Sequence, residues 1–114
     1  LANMDFSDAL LKDVDFSFAE LSHINFTSTR MQNVSFTSAK LQDVNFASDN
    51  SLNYYHTHIS FVESTLDQVN FSSVKFYIID FTLSQHTDTD FSFATLGKWH
   101  YVETSQIDWC MHSF

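Results

Sequence analysis

Large apolar residues recur at every fifth position along most of this chain. If each is taken as the centre of a five-residue unit, the first ten centres follow without exception: Leu1, Phe6, Leu11, Phe16, Leu21, Phe26, Met31, Phe36, Leu41 and Phe46. The residue two places before a centre is mostly small or β-branched, as in Val14, Ala19 and Ile24. A helix would show a period of 3.6 and a half-buried strand a period of 2, so a period of five predicts neither of them.

The same frame continues through the second half of the chain with three interruptions. Polar residues stand at the expected centres 51, 56 and 86, and the remaining centres are Phe61, Leu66, Phe71, Phe76, Phe81, Phe91, Leu96 and Tyr101. Repetition of this length indicates a solenoid, in which a unit buries its apolar side only because the next coil stacks on it. We expect one domain over residues 1–114, irregular at residues 49–58. Because the repeat is already regular at Met4, we also expect a longer parent chain.

The units resemble those of the pentapeptide-repeat family. The segments DVDFS, FAELS, SAKLQ and QVNFS follow its pattern of a small residue, Asp or Asn, Leu or Phe, a small polar residue and any polar residue. The resemblance implies an all-β fold, the right-handed quadrilateral β-helix, with four five-residue faces per coil and with the centres pointing inward. At roughly 20 residues per coil, the chain would form about five to six coils. Since Gly is nearly absent, we expect Asn, Asp and Ser at the corners.

Stacking at intervals of 20 residues predicts which charges share a side. Face 1 is built on the units centred on residues 1, 21 and 41, face 2 on 6, 26 and 46, face 3 on 11 and 31, and face 4 on 16 and 36. Continued strictly in twenties, the scheme puts ten acidic residues and one base, Lys40, on faces 1 and 2, a net charge of −9, and balances the charges of faces 3 and 4. The acidic residues are Glu20, Asp43, Glu63, Asp80 and Glu103 on face 1 and Asp5, Asp8, Asp67, Asp88 and Asp108 on face 2.

An acidic side of this size predicts a non-catalytic module that binds a protein with a basic surface, and it disfavours nucleic acid as a direct ligand. The family resemblance adds two specific versions. One is the interaction domain of a larger bacterial effector, which would act inside a host cell; the other is a cytoplasmic mimic of duplex DNA that binds DNA gyrase and related topoisomerases. B-DNA carries about 16 charges over the roughly 27 Å of such a rod, more than the ten carboxylates counted here. A purely structural solenoid with a solubilising acidic side is the remaining alternative.

Outward apolar residues are the second kind of candidate contact. Strict stacking places Phe18 and Ile78 in one column of face 4, Tyr77 beside Ile78, and Phe93 on face 3. Scattered exposed apolar residues are also a normal feature of protein surfaces, and this is the simpler interpretation. Near the end of the chain a cluster offers an end-on surface for a homodimer; it consists of Trp109, Cys110, Met111 and Phe114.

The sequence contains no recognisable cofactor motif. A single glycine, Gly97, cannot form a phosphate-binding loop. A single cysteine, Cys110, excludes an intrachain disulfide and leaves zinc without a cysteine pair. The longest apolar run, residues 76–79, is far shorter than the roughly 20 residues of a membrane-spanning helix. We therefore predict no cofactor and no membrane segment.

Asp49, Ser51 and His56 contain the atoms of a catalytic triad and fall at inward positions of one predicted coil. Three polar groups in a dry core without a cleft would be costly, so we expect a local bulge in which Leu52 or Tyr54 replaces the missing apolar centre. The buried histidines are expected to bond to backbone groups rather than to a metal.

Overall fold

The structure, a computed structural model, describes residues 1–48 and 55–100, the last five of these by their backbone alone. Nine short strands make up two parallel sheets. The described part of the chain contains no helix with the length and apolarity needed to cross a bilayer. The strands are β1 (Leu10–Lys12), β2 (Glu20–Ser22), β3 (Arg30–Ser35), β4 (Lys40–Gln42), β5 (Thr57–Ser60), β6 (Thr65–Asp67), β7 (Lys75–Asp80), β8 (Gln85–Thr87) and β9 (Thr95–His100).

Each coil pairs in parallel with the next, so the backbone groups of one coil are satisfied by its neighbours. The order β2-β4-β6-β8 forms face 1 and the order β1-β3-β5-β7-β9 forms the opposite face 3. On faces 2 and 4 single bridges connect the coils, such as those from Asn25 to Asn45 and from Asp15 to Ser35. Connections between parallel strands of one sheet are right-handed in nearly all proteins. The chain is the predicted right-handed quadrilateral β-helix.

One coil is five residues longer than the others. Leu21 pairs with Leu41, 20 residues on, but Leu41 pairs with Leu66, 25 residues on. The 20-residue spacing then resumes, with Ile59 opposite Ile79. The extra residues lie between Phe46 and strand β5, and every later unit therefore lies one face earlier than strict stacking predicts.

The predicted columns are therefore wrong beyond Phe46. The insertion has the length of one unit, so it leaves the five-residue frame unchanged and a count by twenties cannot detect it. Corrected for the insertion, face 1 continues with centres 66 and 86, face 2 with 71 and 91, face 3 with 56, 76 and 96, and face 4 with 61 and 81. Residues 49–54, and with them Asp49, Ser51, Leu52 and Tyr54, lie outside the described part of the chain.

Two columns of phenylalanine fill the coils. The face 2 column (residues 6, 26, 46, 71 and 91) stacks with neighbouring ring centroids 4.9–5.3 Å apart, and the face 4 column (16, 36, 61 and 81) with centroids 4.8–5.5 Å apart. Between the columns the rings meet edge to face, as Phe36 and Phe46 do at 5.6 Å and 88°. Both arrangements are favourable for aromatic pairs. The leucines and Met31 of faces 1 and 3 pack against these columns, which are almost entirely buried from Phe26 onward.

The corners place one residue in the left-handed region, two positions after a centre. Sixteen described residues have φ between 50° and 64°, and none of them is glycine. Nine are Asn, Asp or Ser, as predicted, because these tolerate left-handed backbone conformations. The others include Phe18, Leu83 and Phe93, for which this conformation is sterically unfavourable. A corner residue points outward, so these three apolar side chains are exposed.

Two histidines occupy core positions. His56 lies between Met31 and Phe76 on face 3 with 5% of its surface exposed, and its Nδ1 accepts a hydrogen bond of 3.1 Å from the backbone N–H of Met31. His86 is equally buried, with its Nε2 2.6 Å from the hydroxyl of Ser84. His56 itself therefore fills the centre for which a bulged residue was expected. Its bond to a backbone group confirms the prediction for the core histidines, whereas His86 bonds to a side chain.

We predict that Phe26→Asp lowers the free energy of unfolding by about 4 kcal/mol or more, because the carboxylate would enter a site that is 0% exposed. Ser28→Asp, two residues on at an outward corner, should change it by less than about 0.5 kcal/mol, since Asp tolerates the φ of 55° there. Thermal and urea unfolding of both variants measure the difference. An equal loss in the two variants would contradict the inward register.

The second prediction concerns pH. Burial lowers the pKa of His56 to about 4, whereas in the unfolded chain it returns to its ordinary 6.5. Between these values the unfolded chain binds a proton that the folded chain does not, so stability is complete above pH 6.5 and falls as the pH drops toward 4. The loss due to His56 amounts to about 3 kcal/mol at most.

The measurement compares urea unfolding of the native chain and His56→Met at several pH values from 7.5 to 4. The difference in the free energy of unfolding between the two proteins should change through this window, in favour of the variant at low pH. His86 and the carboxylates are present in both proteins and cancel. Parallel curves would show that His56 does not resist protonation in the folded state.

Candidate functional site

The corrected stacking redistributes the acidic candidates. Two of them, Glu63 and Asp80, lie on face 4, and Asp90 joins face 2 although strict stacking assigned it to face 3. Glu103 and Asp108 lie outside the described residues. The described carboxylates of faces 1 and 2 are Glu20, Asp43, Asp67 and Asp88 on face 1 and Asp5, Asp8 and Asp90 on face 2. Against the single base Lys40, these seven give the two adjacent faces a net charge of −6 among described residues.

Several carboxylates have a structural task. On face 2 the residue before each phenylalanine accepts a hydrogen bond of 2.8–2.9 Å from the backbone N–H two residues on, which closes a local turn; these residues are Asp5, Asn25, Asn45, Asn70 and Asp90. Asp15 and Asp80 do the same on face 4, where Ser35 and Ser60 use their hydroxyls. The hydrogen bonds from Ser7 and Ser17 hold the pKa of Asp5 and of Asp15 below its usual value.

This column of turn residues was missed in the sequence, although a signal for it exists. Asp, Asn or Ser precedes every phenylalanine centre of faces 2 and 4, whereas mostly longer side chains such as Glu20, Arg30 and Lys40 precede the centres of faces 1 and 3. Carboxylates occur only at the two ends of each turn column, with amides or hydroxyls between them. Like charges on adjacent coils, about 4.8 Å apart, would repel each other. Asp5, Asp80 and Asp90 are thus explained by the fold itself.

Face 1 carries acidic side chains that close no such turn. Asp43, Asp67 and Asp88 lie at or near the edge that face 1 shares with face 2. The carboxylate of Asp43 lies 3.7 Å from the imidazole Nδ1 of His23 on the coil before it. Beside this edge, Glu20, Lys40 and Asp67 line a shallow depression of about 570 Å³. Face 1 therefore offers acidic groups and a concave surface together.

The apolar candidates do not form a cluster. Phe18 and Phe93 are 77% and 75% exposed, but they lie at corners of the opposite faces 4 and 2. Tyr77 and Ile78 lie on face 3, so the predicted column of Phe18 and Ile78 is wrong, and so is the position of Phe93 on face 3. Leu83 shares the corner column of Phe18 three coils away. The insertion between Phe46 and β5 is again the cause.

The described residues present no assembled chemistry. The pair Ser84 and His86 is 1–2% exposed and out of reach of a substrate, and the Nδ1 of His56 is bonded to the chain. Within residues 1–48 and 55–100 no three His, Cys, Asp or Glu side chains come together as a metal-binding group. The C-terminal cluster of Trp109, Cys110, Met111 and Phe114 lies outside this part of the chain.

The family model for pentapeptide repeats matches eight copies, over residues 1–27 and 9–47. No protein with a curated description matches the sequence. Among solved structures the chain is similar to QnrB1, a plasmid-mediated fluoroquinolone resistance protein, at 14% identity and a TM-score of 0.34, over 100% of this chain and 78% of that one. A likeness this distant carries no argument about function. The matched repeats, and the coils of four five-residue faces that they build, show that the chain belongs to the pentapeptide-repeat family.

Proposed function

We propose that the chain is a non-catalytic module that binds a partner protein with a basic surface through faces 1 and 2. The observation that carries the proposal is the concentration of seven carboxylates against one lysine on two adjacent faces. A one-sided field attracts a basic partner, orients it during approach and raises the association rate. The charges stand on paired strands and tight turns, so little ordering is lost when a partner binds.

Asp43, Asp67 and Asp88 are the residues most suited to this contact. They close no turn, and so the fold does not account for them as it accounts for Asp5 and Asp90. Asp43 and Asp88 occupy the same corner position of face 1 two coils apart, a separation of about 10 Å. Two carboxylates at this distance match two basic side chains on adjacent turns or strands of a partner.

The DNA-mimic version requires a denser charge. Five stacked coils cover about 20 Å, over which B-DNA presents about 12 phosphates, against the seven carboxylates of faces 1 and 2. The lower density favours a basic protein surface of ordinary charge over a site shaped for duplex DNA. We propose a bacterial effector-type protein as the larger context of the module, with its partner in the host cell, and we keep DNA gyrase as the probe for the alternative.

We predict that the double variant Asp43→Lys and Asp88→Lys weakens partner binding at least tenfold, because two attractive charges become repulsive. The matched control is Asp13→Lys with Glu63→Lys, on faces 3 and 4. All four residues have φ between 50° and 57°, so both variants change the backbone energy and the net charge alike. The control should bind within about twofold of the native chain.

The probes are the proteins that the immobilised native chain retains from a eukaryotic host-cell lysate and, separately, purified DNA gyrase in a supercoiling assay. For each retained protein, association rates at two salt concentrations are measured against the native chain and both variants. A selective loss with the face 1 variant supports the proposal. Equal loss in both variants would show attraction to net charge alone, and the proposal fails if neither variant matters. Selective relief of gyrase inhibition would favour the mimic.

A further inference from the structure

Face 3 has the opposite charge from faces 1 and 2. Of the four Lys and Arg side chains that the structure describes, three lie on it, Lys12, Arg30 and Lys75, with Asp13 as its one described acidic residue. Asp13 accepts a hydrogen bond of 2.8 Å from the side chain of Asn33 on the next coil. None of the described lysines lies within 4 Å of a described carboxylate. A chain with a net charge of −9 thus carries a locally positive face.

Exposed apolar and aromatic side chains interleave with these cations. Leu10, Tyr55 and Tyr77 are 70%, 44% and 45% exposed. The ammonium of Lys75 lies 5.7 Å from the centre of the Tyr55 ring, a cation–π contact that orders both side chains. Tyrosine and arginine are enriched among the residues that dominate binding energy at protein interfaces. Charge and aromatic surface therefore coincide on one sheet.

The sheet arranges these side chains in two parallel rows. Residues before and after each centre point outward about 7 Å apart, and successive coils are about 4.8 Å apart. One row contains Leu10, Arg30, Tyr55 and Lys75, and the other Lys12, Gln32, Thr57 and Tyr77. The five strands of this sheet cover about 20 Å, the length of about six extended residues. The backbone groups pair between coils, so a ligand here is recognised by side chains rather than by strand addition.

We infer that face 3 binds a short acidic segment of a partner protein, one in which Asp or Glu alternates with aromatic residues. Its carboxylates would pair with Lys12, Arg30 and Lys75, and its rings would pack against Tyr55 and Tyr77. The site is distinct from the acidic faces, takes the opposite charge and does not depend on the proposed function.

A short peptide fits this face better than a nucleic acid does. The positive surface is about 20 Å long and is bordered on faces 2 and 4 by Asp5, Asp8, Asp15 and Glu63. A segment of about six residues stays over the cations, and at physiological ionic strength charges more than about 8 Å away are largely screened. A longer polyphosphate chain would extend past the cations and meet these carboxylates. The charge pattern therefore favours a compact acidic segment.

The test uses a fluorescently labelled copolymer of glutamate and tyrosine, titrated with the chain by anisotropy. Lys75→Glu should weaken binding about fivefold or more, since an attractive charge becomes repulsive. Lys40→Glu is the matched control, because Lys40 occupies the same place before a centre on face 1 and the net charge changes equally. It should alter binding by less than about twofold. Equal effects of the two variants, or no binding by the native chain, would overturn the inference.

The aromatic part is tested with Tyr77→Ala, against Leu83→Ala as a control of equal 45% exposure on face 4. Tyr77→Ala should reduce binding of the copolymer about fivefold while leaving the weaker binding of plain polyglutamate unchanged. Equal losses on both polymers, or equal losses in both variants, would contradict a role for the aromatic row. A 20-residue thymidine oligonucleotide that binds more tightly than the copolymer would identify nucleic acid as the ligand and overturn the proposal.

Discussion

The structure depends on one coincidence of lengths. Parallel strands pair at about 4.8 Å, and flat aromatic rings in contact stack at nearly the same distance. The phenylalanine columns of faces 2 and 4 have centroid separations of 4.8–5.5 Å. One coil spacing therefore satisfies the backbone hydrogen bonds and the core packing together. A helix or an ordinary sheet would not bring a residue back above itself at this distance, so the five-residue period and the stacked rings require each other.

The same spacing controls the surface. Every outward position repeats above its counterpart at the coil spacing, so a charge is always close to the residue 20 positions away, or 25 across the insertion. The chain accommodates this by separating carboxylates with Asn or Ser, as between Asp5 and Asp90 and between Asp15 and Asp80. It also collects three of its described cations on one sheet. The charge pattern is thus a consequence of stacking, and only the residues that close no turn, such as Asp43 and Asp88, are left for a partner.

Most of the fold could be predicted from the sequence, because the inward positions repeat with few errors. The two columns of turn residues and the true columns of the second half could not be predicted by counting in twenties. A signal was present: Phe and Leu or Met alternate as centres from Leu1 to Phe46, and the alternation has changed phase when it resumes at Phe61 and Leu66. That phase change marks one added unit. The placement of Glu63, Asp80, Phe93 and Ile78 failed for this reason alone.

The five-residue insertion has a consequence for how such a surface can evolve. Each coil contacts only its neighbours, so a unit added at one corner is absorbed locally while the coils on either side remain intact. Every residue after it is nevertheless turned by a quarter of a revolution about the solenoid axis. A single change in length therefore deals the same outward residues onto different faces and creates a new combination of neighbours, which substitutions would reach only through many separate steps.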